Sequence, residues 1–135
     1  MGTGGKNPAT GAGLFVISLI KLFFFFLHIS PLVDKLAFGS YNKRFGGGTE
    51  NDPSPWLTND VDERKKYYAD PFCTFKFTVS AMGDLIRLNK LTNSKKWYKE
   101  MPKDVPILLV SGENDPVGDY GKGVRQVAES LQKSG

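Results

Sequence analysis

Residues 111–123 read SGENDPVGDYGKG and follow the apolar run Val105-Pro106-Ile107-Leu108-Leu109-Val110. A run that is continuous rather than alternating predicts a strand buried on both faces of a parallel sheet. Open α/β sheets bind ligands just outside the carboxyl ends of their strands, and Asp115 stands there between Asn114 and Pro116. The loop combines a flexible entry at Gly112, two acids, Glu113 and Asp115, and a proline that fixes the backbone after the aspartate. The same composition also makes an ordinary solvated turn, so residue types alone leave Asp115 either a site acid or a turn former.

Other residues able to do chemistry are sparse. Cys73 is the single cysteine, which excludes an internal disulfide or a cysteine metal cluster, fits a reducing, cytoplasmic location and reads as a small buried side chain. His28 is the single histidine and lies in an apolar segment well before Asp115; it reads as a polar-face residue rather than a catalytic one. Asp60, Asp62, Asp70 and Asp104 fall at expected helix starts and turns, which explains them better than metal ligation. Gly46-Gly47-Gly48 reads as a flexible loop, and Gly2-Thr3-Gly4-Gly5-Lys6 lacks the spacing and ending of a phosphate-binding loop. Trp56, Trp97, Tyr67, Tyr68 and the Phe run could line an apolar pocket, although at helical spacing such residues are more often plain core. The net charge of +4, with 18 Lys+Arg against 14 Asp+Glu in 135 residues, is scattered rather than gathered into a stripe, so no nucleic-acid partner is expected.

Around these residues the pattern is mostly helical. Ala12 to Ile29 is unusually rich in Phe but carries Lys21 in its middle, and Ser18, Lys21 and His28 share one sector of a helix. A docked or membrane-touching amphipathic helix is the favoured reading; a membrane span and a signal sequence are the alternatives weighed. Ser30 and Pro31 suit the start of a short helix from Leu32 to Phe38, stopped by Gly39. Gly46 to Pro55 reads as an irregular loop. Thr58 is the expected cap of the next helix, with Asp60, Asp62 and Glu63 early and Lys65 and Lys66 late, ending before Pro71. Thr78 caps a helix with Val79, Met82, Leu85 and Ile86 on one stripe, and Asn93 opens a further turn or two around Trp97 and Tyr98. The tail from Asp119 to Lys133 places Val124, Val127, Ala128 and Leu131 at helical spacing. One buried strand cannot satisfy its own edges, so a chain that supplies no neighbour for it reads as part of something larger.

The segment VPILLVSGENDPVGDYGKGV resembles the acid-bearing strand of α/β hydrolases in the serine aminopeptidase, lysophospholipase and monoacylglycerol lipase group. That group carries a strand of the form P-x-L-hydrophobic-x-G-x-x-D-P-V, and the match puts the catalytic acid on Asp115. LAFGSYNKRF (36–45), PSPWLTND (53–60) and YADPFCTFKFT (68–78) are similar to the cap of bacterial members. The resemblance implies a partial α/β-hydrolase fold: 1–11 as a loop leaving a core strand, 12–104 as a helical cap, and 105–135 as a core segment with the acid strand and its following helix. It implies serine ester hydrolysis without cofactor or metal, on a lipid-like or other ester, with membrane-surface contact through 12–29 as a further option. It also exposes a gap. No G-x-S-x-G occurs and no histidine follows Asp115, so two of the three triad members are missing and the chain alone is expected to be inactive. A small membrane-associated or partner-binding protein without catalysis is the competing reading.

Overall fold

In the computed structural model, which describes residues 5–23 and 27–135, the elements in chain order are α1 (Thr10–Phe23), α2 (Pro31–Phe38), 3-10 turns at Tyr41–Arg44 and Pro55–Leu57, α3 (Val61–Ala69), α4 (Val79–Thr92), α5 (Lys95–Glu100) and α6 (Lys122–Gln132). Local chemistry sets most of the helix starts. The Ser30 hydroxyl accepts from the Val33 N–H, Thr78 from Ala81 and Ser94 from Trp97, each satisfying one of the four amide donors that a helix start leaves without an internal partner. The Val79 N–H, a further such donor, reaches the His28 carbonyl at 2.8 Å. This bond ties the segment before α2 to the head of α4.

The core is the contact of α1 and α4, closed at one end by α2. Ile17, Val33, Val79 and Met82 are buried, and Ile20, Ala37, Phe38 and Ile86 pack against them. Ile17 and Val79 are the most enclosed side chains, at 2% and 1% exposure. The two helices approach closely at Gly83, where a Cβ would lie 3.2 Å from Ile17 Cγ2. Each such side chain withdrawn from water contributes about 1.5–3 kcal/mol, a sizeable share for so small a cluster.

Several sequence expectations shift. The described part of the apolar helix runs to Phe23, and residues 27–29 are outside any helix; the part of the expectation that falls on Phe24, Phe25 and Phe26 lies outside the described residues. Among the described residues no helix is long and apolar enough to cross a membrane. Helix α3 is capped by Asp60 rather than Thr58: the Asp60 carboxylate takes both the Asp62 and Glu63 amides, while Thr58 Oγ1 accepts from Asp60 itself. A carboxylate at a helix start adds charge to the cap hydrogen bond, which favours the later residue. Asn93 closes α4 instead of opening α5, and Leu85 turns outward.

The largest correction concerns 105–111. No strand forms among the described residues, and the run expected to be buried on both faces is exposed, with Leu108 at 86% and Val110 at 79%. A β-strand's hydrogen bonds are made by its neighbours, and no other described segment pairs with this one. The molecule's accessible surface is 9904 Å², against about 7,000 Å² expected for a self-contained chain of 14.9 kDa. The sequence pattern is that of a buried strand, and the burial it is patterned for is absent.

Because cap stability rests on the small α1–α4 cluster, Met82→Ala is expected to lower unfolding free energy by about 2–5 kcal/mol. Urea titration followed by circular dichroism measures this, and Leu85→Ala on the exposed side of α4 serves as the comparison with a much smaller effect.

Candidate functional site

Asp115 sits half-buried in a turn that fixes both its backbone and its side chain. Its N–H donates to the Gly112 carbonyl at 3.2 Å, and its carbonyl accepts from the Tyr120 N–H at 2.9 Å. Its Oδ1 accepts from the Val117 N–H at 2.9 Å, the aspartate-turn bond that a proline at 116 allows by fixing the backbone between the partners. No described residue donates a hydrogen bond to Oδ2. The chain then passes through three successive residues of left-handed backbone, Asp119, Tyr120 and Gly121, with φ of 49°, 57° and 82°. Glycine takes this conformation freely, whereas a bulky aromatic residue does so at a cost of roughly 1–3 kcal/mol unless its surroundings hold it. The Gly123 N–H closes the turn on the Gly118 carbonyl at 2.8 Å, and α6 begins.

The 3-10 turn Tyr41–Arg44 meets this loop. The Arg44 guanidinium lies 3.7 Å from the centroid of the Tyr120 ring, a cation–π contact. Tyr41 stands close enough to Asp115 to feel its charge. Burial first, and then the Asp115 carboxylate, push the Tyr41 phenol above its usual value. Tyr41 in turn packs edge-on against Trp56 at 5.0 Å and Phe38 at 5.9 Å, which joins the 3-10 turn to α2 and to Pro55–Leu57.

From the opposite side the N-terminal segment reaches α6. Gly5 is buried with φ +68°, and a Cβ there would lie 2.7 Å from Gly123 Cα; the Lys6 N–H bonds Gln126 Oε1 at 2.8 Å. Glycine at position 5 is required by this backbone contact, which no local sequence pattern reveals. The remaining glycines of the GTGG stretch lie outside the described residues.

The other candidates are dispersed. Asp60 and Asp70 serve as turn and cap acceptors, and Asp62 pairs with Lys65. The Cys73 thiol is raised by burial and by Asp70, the opposite of an activated thiolate. The aromatic residues divide into separate groups: Trp56 joins Tyr41, Trp97 lies against Tyr98, and Tyr67 lies against Tyr68. Tyr68 belongs to a network that no sequence motif marks, in which its hydroxyl donates to Asp52 Oδ1 at 2.7 Å and Arg64 grips the same carboxylate at 2.9 Å while also reaching the Thr58 carbonyl. The Tyr68 bond, against partial burial and with help from Arg64, holds the Asp52 carboxyl below its usual range. This network fastens the glycine-rich loop to α3. Two open clefts, of about 430 and 590 Å³, run beside Lys6 and Gln126 and are lined by neither Asp115 nor these aromatic residues.

By comparison with known proteins, a strand-patterned segment followed by an aspartate turn and a helix, beside a group of helices, is part of an α/β-hydrolase-like fold. The chain belongs to the family described as "Serine aminopeptidase, S33", whose pattern matches residues 8–135. Among solved structures it is similar to a highly thermostable carboxyl esterase from Bacillus coagulans in complex with glycerol, with a TM-score of 0.83 and 22% identity. The likeness covers 97% of this chain and 42% of that one, so the chain spans less than half of the esterase's length. Among curated proteins none matches.

The closeness of Tyr41 and Asp115 has a direct spectroscopic readout. Removing the carboxylate charge with Asp115→Asn is expected to bring the Tyr41 titration part of the way back toward the ordinary phenol value, leaving the contribution from burial. Ultraviolet phenolate titration, with Tyr41→Phe used to identify the signal, checks it; an unmoved Tyr41 titration contradicts an influence of the Asp115 charge on Tyr41.

Proposed function

We propose that this chain is the cap and acid-bearing part of a serine hydrolase acting on carboxylic esters, of the lysophospholipase or monoacylglycerol lipase type, with Asp115 as the triad acid. The observation that carries the reading is the placement of Asp115: pinned by three hydrogen bonds, with Oδ2 accepting none from a described residue, beneath the cap aromatics. Family membership supports the same chemistry. In that chemistry a serine oxygen attacks the ester carbonyl carbon while a histidine takes the serine proton. The histidine then passes the proton to the leaving alcohol, and water releases the acyl group by the same route. The carboxylate orients the histidine and stabilises its charged form without taking the proton itself.

Serine nucleophile and histidine must come from outside the 135 residues, on a core whose sheet also pairs with 105–111. The exposed apolar run and the excess surface support a partner of that kind: a sheet edge accepting a parallel strand. A lipid-like substrate is supported by α1, which turns Phe15, Leu19 and Leu22 outward at 65%, 43% and 76% exposure. A helix face of this composition suits contact with an acyl chain or a lipid surface.

Two experiments test these points. The chain alone is expected to resist labelling by a fluorophosphonate, while co-expression with a core polypeptide carrying a G-x-S-x-G turn and a C-terminal histidine restores hydrolysis of a p-nitrophenyl ester. Asp115→Asn then lowers kcat by about 10⁴-fold, and stoichiometric labelling of the isolated chain would overturn the account of the missing nucleophile. In the second, the chain floats with anionic phospholipid vesicles, and Phe15→Asp with Leu22→Asp abolishes flotation; equal flotation of the variant removes α1 from lipid contact.

A further inference from the structure

We propose that Arg44 is a positioning residue for Asp115, acting from the cap through Tyr120. The inference rests on the reading of Asp115 as the triad acid and adds to it a cap residue that holds the acid in register. Three observations converge on Tyr120. Its backbone is left-handed, at φ 57°, in a residue type that seldom adopts that conformation. Its N–H supplies the 2.9 Å bond to the Asp115 carbonyl. Its ring lies 3.7 Å below the Arg44 guanidinium.

These facts form one mechanical chain. If the Tyr120 ring is released, the backbone at 119–121 is free to relax from positive φ, and relaxation rotates the Tyr120 N–H away from Asp115. With that bond gone the Asp115 carbonyl is no longer fixed, and the Val117 N–H bond to Oδ1, held by the same turn, loosens with it. Arg44 is suited to the task because a guanidinium stacks flat on an aromatic face and stays charged at any working pH. The ion pair of Asp119 with Lys122, at 3.2 Å and exposed, fastens the loop to α6 but does not touch the Tyr120 ring. Arg44 is thus the contact through which the cap acts on the loop. A carboxylate that must meet a histidine with hydrogen-bond geometry tolerates little displacement, so fixing the cap against the loop also fixes the acid.

Amide hydrogen exchange by NMR on the full chain tests the proposal. Arg44→Ala is expected to speed exchange of the Tyr120 and Val117 amides about tenfold or more, while amides of the α1–α4 contact such as Met82 and Ile86 stay within about twofold. Arg44→Lys, which keeps a cation over the ring, restores most of the protection. In the two-piece enzyme Arg44→Ala lowers kcat per active site, with sites counted by fluorophosphonate titration, and leaves KM unchanged; counting sites removes the effect of a smaller folded fraction. Unchanged Tyr120 and Val117 amides, or equal acceleration at every amide, overturn the inference whatever Asp115 does. If those amides respond but Asp115→Asn retains full activity in the two-piece enzyme, the reading of Asp115 as the acid fails, and the positioning role fails with it.

Discussion

A strand is satisfied by its neighbours, and the run from Val105 to Ser111 has none among the described residues. The rest of the molecule is organised around that constraint. Helices close their own hydrogen bonds, so α1, α2 and α4 pack on the small cluster of Ile17, Val33, Val79 and Met82. The segment whose bonds must be made by others remains outside any ladder. The loop at its C-terminal end is nevertheless ordered, because the Asp115 turn draws its bonds from residues within a few positions of itself. Arg44 adds a contact to the Tyr120 ring, and Gly5 and Lys6 hold the start of the following helix at Gly123 and Gln126.

The parts of the fold that are legible in the sequence are those decided within a few residues. Ser30 before Pro31 and Thr78 before Val79 announce their helices because an N-cap bond spans three residues. The stretch from Thr58 to Asp60 offers two caps two positions apart, and there composition does not choose; the charged acceptor wins. The outward turn of Leu85 depends on what packs beside it, which periodicity does not carry. The apolar pattern of 105–111 states a preference for burial and not an outcome, since the preference is realised only against a sheet.

The site shows the same division. Asp115 is singled out as a candidate by its place after an apolar run, and the turn around it follows the Asn-Asp-Pro composition. Tyr41, Arg44 and Gly5 are not, because each meets the acid loop or α6 from a distant part of the chain. The network of Asp52, Arg64 and Tyr68 is hidden for that reason too. An aspartate, an arginine and a tyrosine scattered over a loop and a helix have no spacing that marks them. Membership of the serine aminopeptidase family gives the chain a chemical setting, and the cap contacts give that setting a geometry.

The exposed run at 105–110 carries a hazard as well as an opportunity. Val105, Ile107, Leu108 and Val110 are apolar, uncharged and solvent-facing, the composition from which cross-β stacks nucleate. Pro106 is the natural brake, since it removes one amide donor from any ladder that tries to form. A chain displaying this run needs prompt coverage after synthesis, and self-association that grows with concentration is the behaviour its surface encodes.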